Sequence, residues 1–247
     1  MIVDAIADQG SWFFRWRSYV LLGFAPLVLW SISQPEPIET AFGPLADSIY
    51  EAVCIAIAFA GLGVRVMVAG FAPAGTSGRN TKRQIADRLN TTGIYSLTRN
   101  PLYLGNALTI MGVALFTQSI SLVLLMAMFL VVYLERIIAA EERFLTATFG
   151  DDYLIWARGV PVFFPRLAGW IPPTLPFSMK TVLKREHSSM LAILVSLYTI
   201  DQFREWMTSA TPVVDLDWIA ALLAGTAIYL ILVWMKKRTA LLQVTGR

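Results

Sequence analysis

Six long apolar runs constrain this chain more than any other feature. They cover approximately residues 13–33, 49–71, 102–118, 119–140, 188–207 and 216–235. A helix needs roughly 20 mostly apolar residues to cross a hydrocarbon core about 30 Å thick, because it rises only about 1.5 Å per residue. A bilayer admits only helices or closed barrels, and a barrel strand would alternate polar and apolar positions over roughly 10 residues. These runs are continuous, so the expected fold class is all-α: a polytopic integral membrane protein with about six transmembrane helices. Composition supports this. Charged residues are 15% and hydrophobic residues 56% of the chain, whereas a soluble domain carries roughly 25% charged residues. The mean hydropathy of +0.60 also excludes disorder, whose signature is low hydrophobicity with high net charge. A single cysteine, Cys54, excludes an intrachain disulfide and a Cys-based zinc site. A single histidine, His187, argues against a His-rich metal centre or a His-based triad.

Orientation follows from where Lys and Arg lie. The segment 34–48 has Glu36, Glu39 and Asp47 and no basic residue. The segment 74–99 has Arg79, Lys82, Arg83, Arg88 and Arg99 against Asp87 alone. The stretch 141–187 is mixed but rich in Arg and Lys, 208–215 has only Asp215, and the tail carries Lys236, Lys237, Arg238 and Arg247. Six helices alternating across the membrane reproduce this pattern with both termini cytoplasmic. Runs three and four meet at Thr117, Gln118 and Ser119 and read as a tight hairpin. Trp12, Trp16, Trp30, Trp206, Trp218 and Trp234 fall near the expected helix ends, where aromatic belts form. Pro172, Pro173 and Pro176 divide a core of four transmembrane helices, 1–171, from a linker and C-terminal helix pair, 172–247.

Polar chemistry is concentrated in two stretches on the basic side. In the first, Pro101 suits the opening turn of a helix, since its missing N–H would be unpaired there. Arg99 and Asn100 then sit at the helix mouth, and Tyr103 and Asn106 share a face. The plain alternative is a loop in which Arg99 meets lipid phosphate and Tyr95 and Tyr103 are belt residues. In the second stretch, Glu135, Ile138 and Glu142 share a face, with Arg136 and Glu141 on the next one. Carboxylates at the end of a spanning helix are costly unless paired or facing a polar cavity. An exposed ladder of Glu–Arg pairs is the competing account. A small cation carrying its own carboxylate would suit these acids together with Arg99.

The combination resembles a known family. Gly93-Ile-Tyr95-Ser-Leu-Thr-Arg99-Asn100-Pro101-Leu-Tyr103-Leu-Gly105, then Glu141-Glu142-x-x-Leu145, Phe149-Gly150-x-x-Tyr153, Val160-Pro161 and Pro165, is similar to the integral-membrane methyltransferases. These include isoprenylcysteine carboxyl methyltransferases and phospholipid N-methyltransferases. The resemblance covers approximately 79–166. Asn100 stands where the family usually has His; Asn hydrogen-bonds but does not titrate near neutrality. Residues 76–82 and 89–93 are also similar to a bacterial branch with a lipid A phosphate methyltransferase. The resemblance implies S-adenosylmethionine as cofactor in a cytoplasmic-face pocket, bound by Tyr95, Arg99, Asn100, Pro101, Tyr103, Gly105, Asn106, Glu141 and Glu142. It implies a lipid-linked acceptor arriving from the bilayer of the bacterial inner membrane. Arg99 and Arg136 are candidates to orient an anionic acceptor, and Glu142 or Glu135 to take a proton from an amine.

Arg65 lies inside the second apolar run, and an intramembrane charge is a functional candidate by default, with snorkelling as the rival account. Arg65, Arg79 and Lys82 are the candidate substrate-binding cations. Gly61, Gly63 and Gly70 read as helix packing and Cys54 as a packing residue. Glu51 reads as solvated and His187 as interfacial. No metal is expected. Nucleic-acid binding is not expected either, because no soluble module surrounds the basic cluster. The final helix pair is open as a homodimer interface, an acceptor gate or a packing hairpin. The rival functions are an NADPH-dependent membrane reductase of the sterol type, which carries a similar Arg-His-Pro-Asn-Tyr segment, and a non-enzymatic membrane protein.

Overall fold

The computed structural model describes residues 2–17, 19–34, 36–73, 75–76, 86–208 and 215–246. The helices are α1 (Ile2–Trp16), α2 (Ala25–Ile32), α3 (Pro37–Phe42), α4 (Pro44–Phe71), α5 (Pro101–Phe116), α6 (Ile120–Phe149), α7 (Asp151–Gly159), α8 (Met179–Thr208) and α9 (Leu216–Arg238). Among the described residues there is no strand, only an isolated bridge between Gly93 and Ile171.

Helices α4, α6 and α9 are long and apolar enough to cross a membrane. The other three expected spans are not shown as such. The run 13–33 is broken: a 3₁₀ turn at Val20–Phe24 separates α1 from α2, which has only 8 residues. Pro26, near the start of α2, has no N–H with which to continue a preceding helix. Helix α5 is apolar but has 16 residues, about 24 Å at the usual rise. Helix α8 has 30 residues, and its first turns carry Lys180, Lys184, Arg185 and Glu186. The hairpin expected at 117–119 is present. Gln118 adopts φ +57° there, held by its amide donating to Asp47 at 2.6 Å and accepting from the Ile38 N–H at 3.2 Å.

Helices α4 and α5 run antiparallel with their backbones in close approach. The position of a side chain on Gly61 is taken by the Gly105 carbonyl and by Thr109, and a Cβ on Gly112 would lie 2.5 Å from the Ala58 nitrogen. The Thr109 hydroxyl donates to the Ala58 carbonyl at 3.1 Å. Gly70 is likewise filled, by Phe177, but nothing lies within 4 Å of a Cβ on Gly63. Gly63 is therefore not a packing glycine. Gly61→Ala is expected to destabilise the protein by about 1–3 kcal/mol, because the helices must separate. Gly63→Ala is expected to be neutral or to stabilise by up to about 1 kcal/mol through helix propensity. Thermal unfolding of the two variants in detergent checks the contrast.

Helix α1 lies antiparallel along the second half of α6. Gly10 abuts the Arg136 backbone, Asp8 pairs with Arg143 at 2.7 Å, and Phe13 meets Tyr133 edge-on at 5.4 Å. Helix α8 contributes Ile193, Leu197 and Ile200 to a buried core with Ile32, Cys54, Ala58, Leu62 and Phe116. Helix α9 packs on α8, with Gly225 against Leu194 and Tyr229 beside His187 at 5.4 Å. His187 is buried rather than interfacial. At the end of the bundle marked by the 117–119 hairpin, the buried Arg204 pairs with Glu36, lies 3.6 Å from Glu51 and donates to the Phe116 carbonyl at 2.7 Å. Glu51 thus borders an ion-pair cluster instead of standing in solvent.

Candidate functional site

At the other end of the bundle, two irregular segments are stitched together edge to edge. Gly93, at φ +60°, donates to the Ile171 carbonyl at 2.9 Å, Arg166 N–H donates to Leu97, and Arg99 N–H donates to the Pro161 carbonyl at 2.8 Å. Thr98 bonds the Phe163 carbonyl through its hydroxyl at 2.8 Å. The Asn100 amide donates to the Val162 carbonyl at 2.9 Å. Irregular backbone at this depth needs such partners for its polar groups. The stitching delivers Arg99 to the start of α5, where Pro101 is fully buried at the first helical position.

From there the Arg99 guanidinium reaches Glu142 of α6 at 2.8 Å. Tyr153 of α7 interacts with both, and burial together with the Glu142 charge pushes its hydroxyl up to about 12, with Arg99 opposing. Tyr153 is therefore neutral across the physiological range. Trp156, one turn on, meets Tyr153 with ring centroids 5.7 Å apart. Three buried side-chain atoms lack a hydrogen-bond partner among the described residues: Arg99 Nε, Glu142 Oε1 (despite its ion pair) and Trp156 Nε1. All belong to this one cluster. Native proteins leave few buried polar groups unsatisfied, and each costs about 1–3 kcal/mol.

Beside it, the Tyr103 hydroxyl donates to Glu141 at 2.7 Å, and Arg17 acts electrostatically on both. Burial, with Glu141 adding to it, raises the Tyr95 hydroxyl above its ordinary value, while Arg185 of α8 opposes. Tyr95, Arg99, Tyr103, Glu141 and Glu142 thus share one region.

Other expected site residues go elsewhere. Asn100 is consumed in holding the 160–171 segment. Gly105 faces Gly61 and Arg65 across the α4–α5 contact, so it serves packing and not a pocket. Asn106 accepts a hydrogen bond from Arg65, whose Nε also pairs with Glu186 at 2.8 Å. Ser189 donates to the same Glu186 carboxylate at 2.9 Å. Arg65 thus pairs with a carboxylate and an amide of its own chain, which gives it a structural role beside its reading as a headgroup-binding cation. Glu135 is exposed and lies 3.4 Å from Arg136, and Arg136 bonds Gln9 of α1 at 2.7 Å. The fold does not bring this pair to Arg99. Arg79 and Lys82 lie outside the described residues. Tyr153 stands in the sequence only as a residue of the Phe149-Gly150-x-x-Tyr153 motif, without an assigned role, and Trp156 and Glu186 have none. The i, i+3 spacing of Tyr153 and Trp156 and the lone acid beside Lys184 and Arg185 were the available signals.

Residues 52–152 match the family model described as phospholipid methyltransferase. The chain is 39% identical over 80 residues to the cobalt-zinc-cadmium resistance protein CzcN of Cupriavidus metallidurans, covering 32% of this chain and 37% of that protein. It is 40% identical over 82 residues to the nickel-cobalt-cadmium resistance protein NccN of Alcaligenes xylosoxydans xylosoxydans, again over 32% and 37%. The matched region thus spans little more than a third of either relative. No solved structure matches the chain. The matched segment contains Arg65, the stitched Arg99 loop, Glu135, Glu141 and Glu142 of α6 and the beginning of α7, and over this segment the chain is similar to the phospholipid methyltransferases.

Proposed function

We propose that this protein is an S-adenosylmethionine-dependent methyltransferase acting at the cytoplasmic membrane face on a lipid or lipid-linked acceptor, either a phospholipid headgroup amine or a lipid phosphate. The observation that carries the reading is the Arg99–Glu142 pair at 2.8 Å, with the buried Arg99 Nε beside it left without a hydrogen-bond partner among the described residues. A zwitterionic cofactor fits that donor set, since a carboxylate takes guanidinium N–H groups and an ammonium or hydroxyl takes a carboxylate oxygen. When bound, S-adenosylmethionine supplies an electrophilic methyl group on a sulfonium.

The chain's own residues bind and orient. Arg99 and Glu142 would hold the cofactor's charged groups, with Tyr153 fixing their mutual position. Tyr103, tied to Glu141, lines the same region and excludes water by its burial. Much of the rate would come from alignment, because holding two reactants together makes a bimolecular step effectively intramolecular. A lipid phosphate needs only orientation by a cation such as Arg99. A headgroup amine must lose a proton, for which Glu142 is the candidate acceptor. The side chain at 100 is engaged with Val162, so no titrating group is required at the position where the family usually has His.

The test is transfer of a labelled methyl from S-adenosylmethionine to lipids in membranes holding the purified protein. Label in a phosphatidylethanolamine-derived lipid or in a phosphorylated lipid supports the proposal and chooses the acceptor. No labelled lipid, together with binding of NADPH in place of S-adenosylmethionine, overturns it in favour of the reductase class.

A further inference from the structure

We propose that Trp156 is a binding residue for the adenine end of the cofactor, its indole N–H donating to a ring nitrogen. This rests on the S-adenosylmethionine reading above. Among the described residues, Trp156 Nε1 is buried and donates to nothing. An indole offers one donor and no acceptor, so a buried, idle Nε1 has a single unmet requirement: an acceptor atom. Trp156 stands three residues after Tyr153, hence on the same face of α7, and Tyr153 is the side chain that interacts with both Arg99 and Glu142. The idle donor is therefore linked through Tyr153 to the Arg99–Glu142 pair and its idle Arg99 Nε.

The division of labour follows from charge. Arg99 and Glu142 are ionic groups suited to the carboxylate and ammonium at one end of the cofactor. Tyr153 and Trp156 are neutral and flat, with rings inclined at 56°. They suit the other end, an uncharged heteroaromatic with ring nitrogens as acceptors, which can both lie against aromatic surface and take an N–H. An apolar aromatic would have served equally well if α7 only needed packing.

The experiment compares wild type, Trp156→Phe and Trp156→Ala, all full-length in nanodiscs. Calorimetry measures binding of S-adenosylhomocysteine and of 5′-methylthioadenosine, which keeps the nucleoside but lacks the amino acid. Thermal unfolding is read without ligand. Trp156→Phe keeps the ring and removes the donor. It is expected to weaken both ligands by the same factor, about threefold to tenfold for one hydrogen bond. Its ligand-free Tm should stay level or rise, since an unsatisfied polar atom has been removed. Trp156→Ala should weaken both ligands further. Unchanged affinities in Trp156→Phe overturn the assignment, as does a loss confined to S-adenosylhomocysteine or a wild type with no measurable affinity for 5′-methylthioadenosine. A wild type that binds neither ligand overturns the functional reading itself.

Discussion

Glu142→Gln is expected to weaken S-adenosylhomocysteine binding about 10- to 100-fold, and Arg99→Ala by a similar factor. A hydrogen bond to a charged group contributes about 1.5–3 kcal/mol, and about 1.4 kcal/mol is a factor of ten in affinity. The two side chains form one ion pair, at 2.8 Å, so the double variant should lose less than the product of the single losses. Calorimetry on the three variants and wild type in the same detergent gives the coupling directly. Each variant's ligand-free Tm must be measured beside it, because removing one member of a partly buried pair also leaves the other charge without its partner. Wild-type affinity in both single variants would remove Arg99 and Glu142 from the site, whatever the protein binds.

Arg65→Ala is expected to cost about 3–5 kcal/mol of stability, because it strands a buried Glu186 carboxylate between helices. Glu186 is 8% exposed and Arg65 18% exposed, so solvent offers little relief. Replacing both, as Arg65→Met with Glu186→Leu, should recover most of the loss, since a buried pair exchanged for apolar side chains of similar size is often neutral. Thermal unfolding in detergent distinguishes the outcomes. If Arg65 instead served an anionic headgroup, the single variant would stay stable, and the double variant would gain nothing over it.

The two predictions separate clusters that look alike in the sequence. Arg65, Arg99, Asn106, Glu135, Arg136 and Glu142 are all polar residues in or beside apolar runs. Nothing in their spacing says which will be neutralised by a neighbour. Glu186 decides the fate of Arg65, yet the two are 121 positions apart. Gln9 and Asp8 of α1 similarly capture Arg136 and Arg143, because Gly10 lets α1 lie directly on α6. Local patterns missed these partners because every one of them is a contact between distant elements.

Some of the site was legible all the same. Pro101 announced the start of α5 and Gly93 a turn that only glycine adopts easily, so Arg99 was placed at a helix mouth from local rules alone. Helical periodicity carried Glu142 to the end of a long helix that continues past its apolar half. It could not show that Tyr153 and Trp156 of the next helix would fold back beside it. Nor could hydropathy distinguish a run that crosses as one helix from one that breaks. Residues 13–33 are as apolar as a span requires, but they bend at Val20–Phe24 ahead of Pro26.

The sequence by itself determined the helical class, the apolar runs that become α4, α6 and α9, the 117–119 hairpin and the arrival of Arg99 and Glu142 at one end of the bundle. Each of these depends on the backbone's local needs or on a residue's transfer out of water, which short stretches of chain already express. Only the tertiary structure decided which charges are spent within the protein and which are left to meet a ligand. Arg65 was closed by Glu186 of α8, Asn106 by Arg65, and Asn100 by the 160–171 segment. Arg99 Nε and Trp156 Nε1 were buried near the Arg99–Glu142 pair without a hydrogen-bond partner among the described residues, because pairing between remote elements and exclusion of water are properties of the packed bundle alone.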